Sequence, residues 1–294
     1  MDGKTPHIKK PDWLKIKLGN NDNFSRTGKI IESKRLCTIC QSGRCPNLGE
    51  CWNKGTATFM IGGDICTRSC KFCNTKTGKP RPLDREEPSK VANSVLQLGL
   101  KHAVITSVDR DDLPDYGAHH WAETIRQIKK RNPGTSIEVL IPDFNGKYEL
   151  LDLIIQASPD IISHNMETVE RLTPQIRSVA KYHTSMEVLK HVSQSGIPVK
   201  SGVMLGLGET REEVISLMDD LIASGCFLLS IGQYLQPSKK NVQVAEYIHP
   251  STFKELKSIA EMKGFKHVES SPLVRSSYHS IDFLWKDRPL TGTF

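Results

Sequence analysis

Cys66, Cys70 and Cys73 are spaced as Cys-x3-Cys-x2-Cys, and Cys40, Cys45 and Cys51 stand upstream as Cys-x4-Cys-x5-Cys. Three thiolates on one short loop can hold three corners of a cubic 4Fe–4S cluster, leaving the fourth iron open to another ligand. Zinc loops favour Cys-x2-Cys pairs and four ligands, so the downstream triplet reads as a cluster site. The upstream triplet is less exclusive. Cys37 and Cys40 form a Cys-x2-Cys pair, and Cys37, Cys40, Cys45 and Cys51 together could make a zinc knuckle. Eight cysteines among 294 residues are too few for a disulfide scaffold and, in a reducing cytosol, would be ligands or core residues. Cys226, within an apolar Gly-Cys-Phe-Leu-Leu run, is expected in the core.

The formal charge of +7 favours an acidic partner but falls short of a nucleic-acid footprint. Basic residues are dispersed except at Lys129-Lys130-Arg131 and Lys239-Lys240, both expected on solvated faces. No apolar run approaches the roughly 18 to 20 residues that a membrane span needs. The basic N-terminus lacks the apolar core of a secretory signal. A cytoplasmic enzyme with no membrane and no nucleic-acid partner is the expectation.

The elements that must position these cysteines alternate along the chain. Apolar runs at Thr58–Ile61, Ala103–Val108, Ile137–Ile141, Ile161–Ser163, Val199–Leu205 and Phe227–Ile231 read as strands covered on both faces. Helical patterns lie between them. One is capped by Ser89 and ends near Gly99, and one around Trp121, Ile125 and Ile128 stops at Asn132-Pro133-Gly134. Thr210 and Glu213 form a capping box, and Thr252 opens a later helix. Six β–α repeats imply a parallel sheet closed into a partial (β/α)6 barrel, an α/β fold with its chemistry at the carboxyl ends of the strands. Residues 1–55 are expected to be an N-terminal arm and cluster-binding extension, with the first 35 extended and nearly coreless. Residues 56–250 form the barrel, and 251–294 a C-terminal helix and closing extension. Gly206 and Gly208 lack the third glycine of a dinucleotide loop and are expected to let backbone approach the barrel mouth. His119-His120 is expected to be exposed or structural.

The two triplets resemble those of lipoyl synthases, a family of radical S-adenosylmethionine (SAM) enzymes. The likeness extends through Thr106–Leu113, Ile137–Phe144, His164–Val169, Lys200–Glu209, Gly232–Pro237 and the closing Val274-Arg-Ser-Ser-Tyr278, most of the chain. It implies that Cys66, Cys70 and Cys73 hold the cluster that reduces SAM to a 5′-deoxyadenosyl radical, with Phe72 beside the adenine. Cys40, Cys45 and Cys51 would hold an auxiliary 4Fe–4S cluster whose fourth iron is bound by Ser277. An oxygen ligand is a harder, weaker donor than sulfur, which makes that corner labile. Asn165, Glu167 and Arg177 are implied in SAM binding, with Ser107, Asp109 and Arg110 as further candidates after the second strand.

The implied reaction inserts sulfur at C6 and C8 of an octanoyl group, with the auxiliary cluster as donor. The octanoyl group rides on a lipoyl carrier domain, either a dehydrogenase E2 or the glycine cleavage H protein. The implied cofactors are two 4Fe–4S clusters and SAM, with ferredoxin or flavodoxin as electron donor. The sequence departs from the family at Cys37, where histidine is usual, and a packing role is expected there. The competing readings are another radical SAM reaction, such as a biotin-synthase-like sulfur insertion, and a zinc-stabilised binding module.

Overall fold

A computed structural model describes residues 9–15, 22–53 and 57–277 of the chain. Of the 251–294 extension, residues 278–294, Tyr278 among them, lie outside the described residues. In chain order the elements are α1 (Asp22–Ser33), β1 (Cys37–Thr38), α2 (Ile39–Ser42), α3 (Leu48–Asn53), β2 (Thr58–Ile61), β3 (Ile65–Cys66) and β4 (Lys76–Thr77). There follow α4 (Glu87–Leu98), β5 (His102–Ser107), α5 (Ala118–Arg131), β6 (Ser136–Leu140), α6 (Tyr148–Gln156), β7 (Ile161–Ser163), α7 (Thr173–Ile176) and α8 (Tyr182–Ser193). The last are β8 (Val199–Leu205), α9 (Arg211–Ala223), β9 (Leu228–Gln233), α10 (Pro250–Met262) and β10 (His267–Ser270).

Eight strands form one sheet in the order β1-β2-β5-β6-β7-β8-β9-β10, parallel throughout except where β1 pairs antiparallel with β2. The six expected strands are its centre. Thr58 on β2 and Ser230 on β9, five strands apart in the order, line the same cavity, so the sheet curls into an open barrel. Helices cover its outer face. Trp121, Ile125 and Ile128 of α5 and Val214, Leu217 and Leu221 of α9 are each at most 2% exposed, as their helical spacing requires.

Four expectations are corrected. The helix from Glu87 begins before Ser89, whose hydroxyl donates to the Glu86 carbonyl inside the first turn. Pro88 fits the first turn because its missing N–H would have no helical partner there. The last helix begins at Pro250, with His249 rather than Thr252 as its cap. The first 35 residues are not a coreless arm: α1 buries Thr27 and Ile31, and its Phe24 ring stands 5.3 Å from Trp52 of α3. Finally, β10 extends the sheet by a seventh parallel strand that its mixed sequence, His-Val-Glu-Ser, did not announce.

Candidate active site

The loop after β2 carries the downstream triplet. Cys66 ends β3, and its sulfur accepts from the backbone N–H groups of Arg68 at 3.4 Å and Asp109 at 3.3 Å. The Cys73 sulfur accepts from Thr75 N–H at 3.4 Å, and the Ser178 hydroxyl lies 3.7 Å from Cys70. Burial and then the Asp109 carboxylate push the Cys66 thiol up to about 12, and burial raises Cys70. Such thiols keep their protons until a metal displaces them. Backbone N–H groups aimed at sulfur are the setting in which cluster thiolates are held and their potential tuned. Among the described residues, no three His, Cys, Asp or Glu side chains are grouped to hold a single ion. A cubane takes each thiolate on a different iron, and three cysteines on one loop, with backbone N–H groups donating to Cys66 and Cys73, suit that arrangement.

Arg68, inside the triplet, fastens the loop. Its guanidinium donates to Asp111 at 2.9 and 2.8 Å and to Asp143 at 2.8 Å twice, a two-sided fork that only arginine can make. Burial raises the Asp143 carboxyl, but the Arg68 guanidinium prevails and holds it at about 2. Thr67 adds bonds from its N–H and hydroxyl to the Asp109 carbonyl at 3.1 and 3.0 Å. None of this network except Asp109 was singled out from the sequence, although an arginine between two cluster cysteines was a signal.

All three downstream cysteines open on a cavity of about 360 Å³ enclosed by the barrel. Phe72, Ser107, Asp109, Asn165, Glu167 and Arg177 line it. Arg110 does not. Its side chain is buried toward Gly62, whose carbonyl it binds at 3.1 Å, and forks onto Asp112 at 2.8 and 2.9 Å. Glu167 holds a left-handed φ of +67°, pinned in a parallel bridge to Val203. Residues other than glycine rarely persist there unless the surroundings enforce it. Burial raises its carboxyl, and Asn165 Nδ2 donates to Oε1 at 3.0 Å. Asn165 Oδ1 and the Ser230 hydroxyl are buried on the cavity wall with no hydrogen-bond partner among the described residues. An unpaired buried polar atom is costly, so this wall is built to meet a polar ligand.

Arg177 donates to the Ser185 hydroxyl at 2.9 Å, which bridges to His164 Nε2 at 2.9 Å, while His164 Nδ1 donates to the Ile141 carbonyl at 2.9 Å. Burial and then the nearby Arg177 charge lower His164 to about 4, so it is neutral and fixes the guanidinium as a passive acceptor chain.

The closing motif enters this cavity from above. Val274, Arg275, Ser276 and Ser277 all line it. Ser276 Oγ accepts from Asn165 Nδ2 at 2.7 Å, and its carbonyl accepts from Lys200 Nζ. Lys200 is itself paired with Glu138 at 3.1 Å. Two glycines make room: a Cβ at Gly202 would stand 3.2 Å from Ser276 Oγ, and one at Gly232 would collide with the Val274 carbonyl oxygen. A Cβ at Gly206, where φ is +96°, would collide with Gln233, the close approach expected of that glycine.

The upstream triplet docks against the same loop. Cys40 and Cys45 line the cavity; Cys51 stands half-buried on α3 and does not. Asn47, between them, donates to the Leu273 carbonyl at 2.8 Å, tying the triplet to the closing motif. Burial raises both cavity-lining thiols, while the Arg275 charge beside Cys45 opposes that rise. An arginine beside buried thiols suits an anionic sulfur-ligated group. Cys37 packs instead against Met60, Cys66 and Val108, outside the cavity lining. Cys226 is fully buried beside the Val199 and Leu228 carbonyls. His119 pairs with Asp115, and His120 with Glu87 at 2.6 Å, both away from the cavity.

The Radical SAM superfamily pattern matches residues 60–221. The lipoyl synthase of Porphyromonas gingivalis is 62% identical over 275 residues, covering 93% of this chain and 98% of that protein. That of Bacteroides thetaiotaomicron is 63% identical over 273 residues, covering 93% and 97%. Among solved structures, methylornithine synthase aligns with a TM-score of 0.54 at 16% identity, over 70% of this chain and 60% of that one. Streptococcus suis SuiB bound to S-adenosylmethionine aligns at 0.55 and 10%, over 77% and 54%.

Proposed function

We propose that this chain, which belongs to the lipoyl synthase family of the radical SAM superfamily, inserts two sulfur atoms at C6 and C8 of a protein-bound octanoyl group. The observation that carries the reading is the meeting of the downstream triplet, two cysteines of the upstream triplet and the Arg275-Ser276-Ser277 loop on one cavity. When bound, a 4Fe–4S cluster on Cys66, Cys70 and Cys73 supplies the electron that cleaves SAM, and a second on Cys40, Cys45, Cys51 and Ser277 supplies the sulfur.

The chain's own residues bind, orient and exclude water. Asp109, Asn165, Glu167 and Arg177, with Ser107 and Phe72 beside them, hold SAM against the barrel wall. Asn165 Oδ1 offers it the unpaired acceptor described above. Arg68 fixes the triplet loop, and the apolar side chains on the cavity wall, such as Val104, Leu140 and Val203, keep water from a reactive carbon radical. The octanoyl chain arrives on a lipoyl carrier domain, an E2 or H protein, and ferredoxin or flavodoxin delivers the electrons in the cytoplasm. In this reading residues 1–55 form the auxiliary-cluster arm, 56–250 the barrel, and 251–294 the segment that closes over the auxiliary cluster.

The test is anaerobic incubation of the iron-reconstituted chain with SAM, dithionite and an octanoylated carrier domain. Deoxyadenosine together with a carrier heavier by two sulfurs is expected; deoxyadenosine with no gain of sulfur would contradict the reading.

A further inference from the structure

We infer that Arg44, Lys71, Lys239 and Lys240 form a docking surface for a carboxylate-rich face of the carrier protein, a reading that rests on the function proposed above. The sequence holds two basic clusters of similar appearance, and the fold separates them. Lys129, Lys130 and Arg131 end α5, at the amino-terminal end of β6, so they lie on the far side of the barrel from the cavity. Lys239 and Lys240 follow β9, on the side where the strands end and the cavity opens.

Three segments distant in sequence converge at that opening. Arg44 is the one exposed residue among those lining the cavity, which marks the mouth. Its guanidinium donates to the Pro237 carbonyl at 3.0 Å, two residues before the lysine pair. On the other side, Asn241 Nδ2 donates to the Cys73 carbonyl at 2.8 Å and the Lys71 carbonyl at 3.2 Å, and Val242 N–H to the Lys71 carbonyl at 3.0 Å. The lysine turn is stiffened from within by Ser238 on Asn241 Oδ1 at 2.6 Å and Gln236 on the Asn241 carbonyl at 2.8 Å. A stiff turn presents its charges with little ordering cost on binding.

Several surface cations are matched: Arg171 with Glu213, Arg211 with Glu255 and Lys263 with Asp219. Arg44, Lys71, Lys239 and Lys240 are exposed, and none of them pairs with a carboxylate of the described residues. The occupant follows from the substrate. An acyl group on a lysine is a short tether, so the protein that bears it must rest on the rim of the cavity the acyl chain enters. Unmatched positive charge there selects and steers a negatively charged partner face.

The experiment compares Lys239→Glu/Lys240→Glu with Lys129→Glu/Lys130→Glu, which makes the same change in net charge on the far side. Each is assayed anaerobically with dithionite on an octanoylated carrier domain and on a short octanoyl-lysine peptide without acidic residues. The mouth variant is expected to raise KM for the carrier about tenfold and flatten its dependence on salt, with peptide turnover unchanged. The far-side variant should match the unaltered chain on both. An unmoved carrier KM, an equal shift in the far-side variant, or a defect that emerges only when a protein reductant replaces dithionite would each overturn the assignment. The last would give the surface to the electron donor. No sulfur gain by the unaltered chain on either substrate overturns the functional reading itself, an outcome distinct from an unmoved KM.

Discussion

Lys200 Nζ lies 3.1 Å from Glu138 Oε1 across the barrel interior, both side chains at most 5% exposed, and the same ammonium holds the Ser276 carbonyl. Ser163 also donates to Glu138, at 2.8 Å. A buried ion pair joined to a loop carbonyl fixes that loop more tightly than it stabilises the fold. Lys200→Met removes the ammonium paired with Glu138 and should cost about 3–5 kcal/mol in urea unfolding of the metal-free chain. It should also expose the Leu273–Ser277 loop to limited proteolysis. An unfolding midpoint within error of the unaltered chain would contradict this.

Gly232 leaves space for the Val274 carbonyl, whereas a Cβ added at Gly134 would meet nothing within 4 Å. Gly232→Ala is therefore expected to unseat the closing loop. After reconstitution its iron should fall from about eight per chain toward about four, with SAM cleavage retained and sulfur insertion lost. Gly134→Ala should be silent in iron content and both activities.

Ser276 and Ser277 are neighbours with different surroundings. Ser276 is the one bonded to Asn165. Ser277→Ala should keep SAM cleavage and abolish sulfur insertion, while Ser276→Ala should lose one hydrogen bond, about 1 kcal/mol, and only part of either activity. Product mass and deoxyadenosine measured side by side separate the two.

Arg68→Lys replaces a fork that engages two carboxylates by a single ammonium. Buried Asp143 then loses its paired bonds. We expect roughly 3 kcal/mol of destabilisation and slower cluster assembly at the downstream triplet, read as the rate at which the brown absorbance develops.

His164 gives a pH dependence of defined sign. Its folded value, lowered to about 4 by burial and then by Arg177, lies below the ordinary value of about 6.5. The unfolded chain therefore binds a proton first as pH falls, and stability is lost between about 6.5 and 4. His164→Asn should show a shallower loss of unfolding midpoint over that interval than the unaltered chain. Parallel curves would contradict the assignment.

The six barrel strands were legible because parallel strands covered on both faces are continuous apolar runs, and Val199–Leu205 was placed to the residue. The Thr210–Glu213 capping box was legible because its chemistry is local. What escaped was long-range or disguised. The apolar stripe of α1 is only Phe24, Thr27 and Ile31 among polar neighbours, and β10 buries only Val268 among its four residues. Lys200 and Glu138 each sit within an otherwise apolar strand, where a charge demands a partner. Nothing local says that the two face each other across the sheet or that Ser276 joins them. Arg110 looked like a site residue from its position after β5, and its side chain turns the other way to hold Gly62.

The central claim is that the two triplets do different work on one cavity, one cleaving SAM and the other yielding sulfur. The most direct measurement is a single anaerobic turnover by chain reconstituted with 34S-sulfide, with SAM, dithionite and octanoylated carrier. The account predicts a product in which both inserted atoms are 34S, and loss of that product in Ser277→Ala. A product carrying 32S, or one that forms equally well without Ser277, would contradict it.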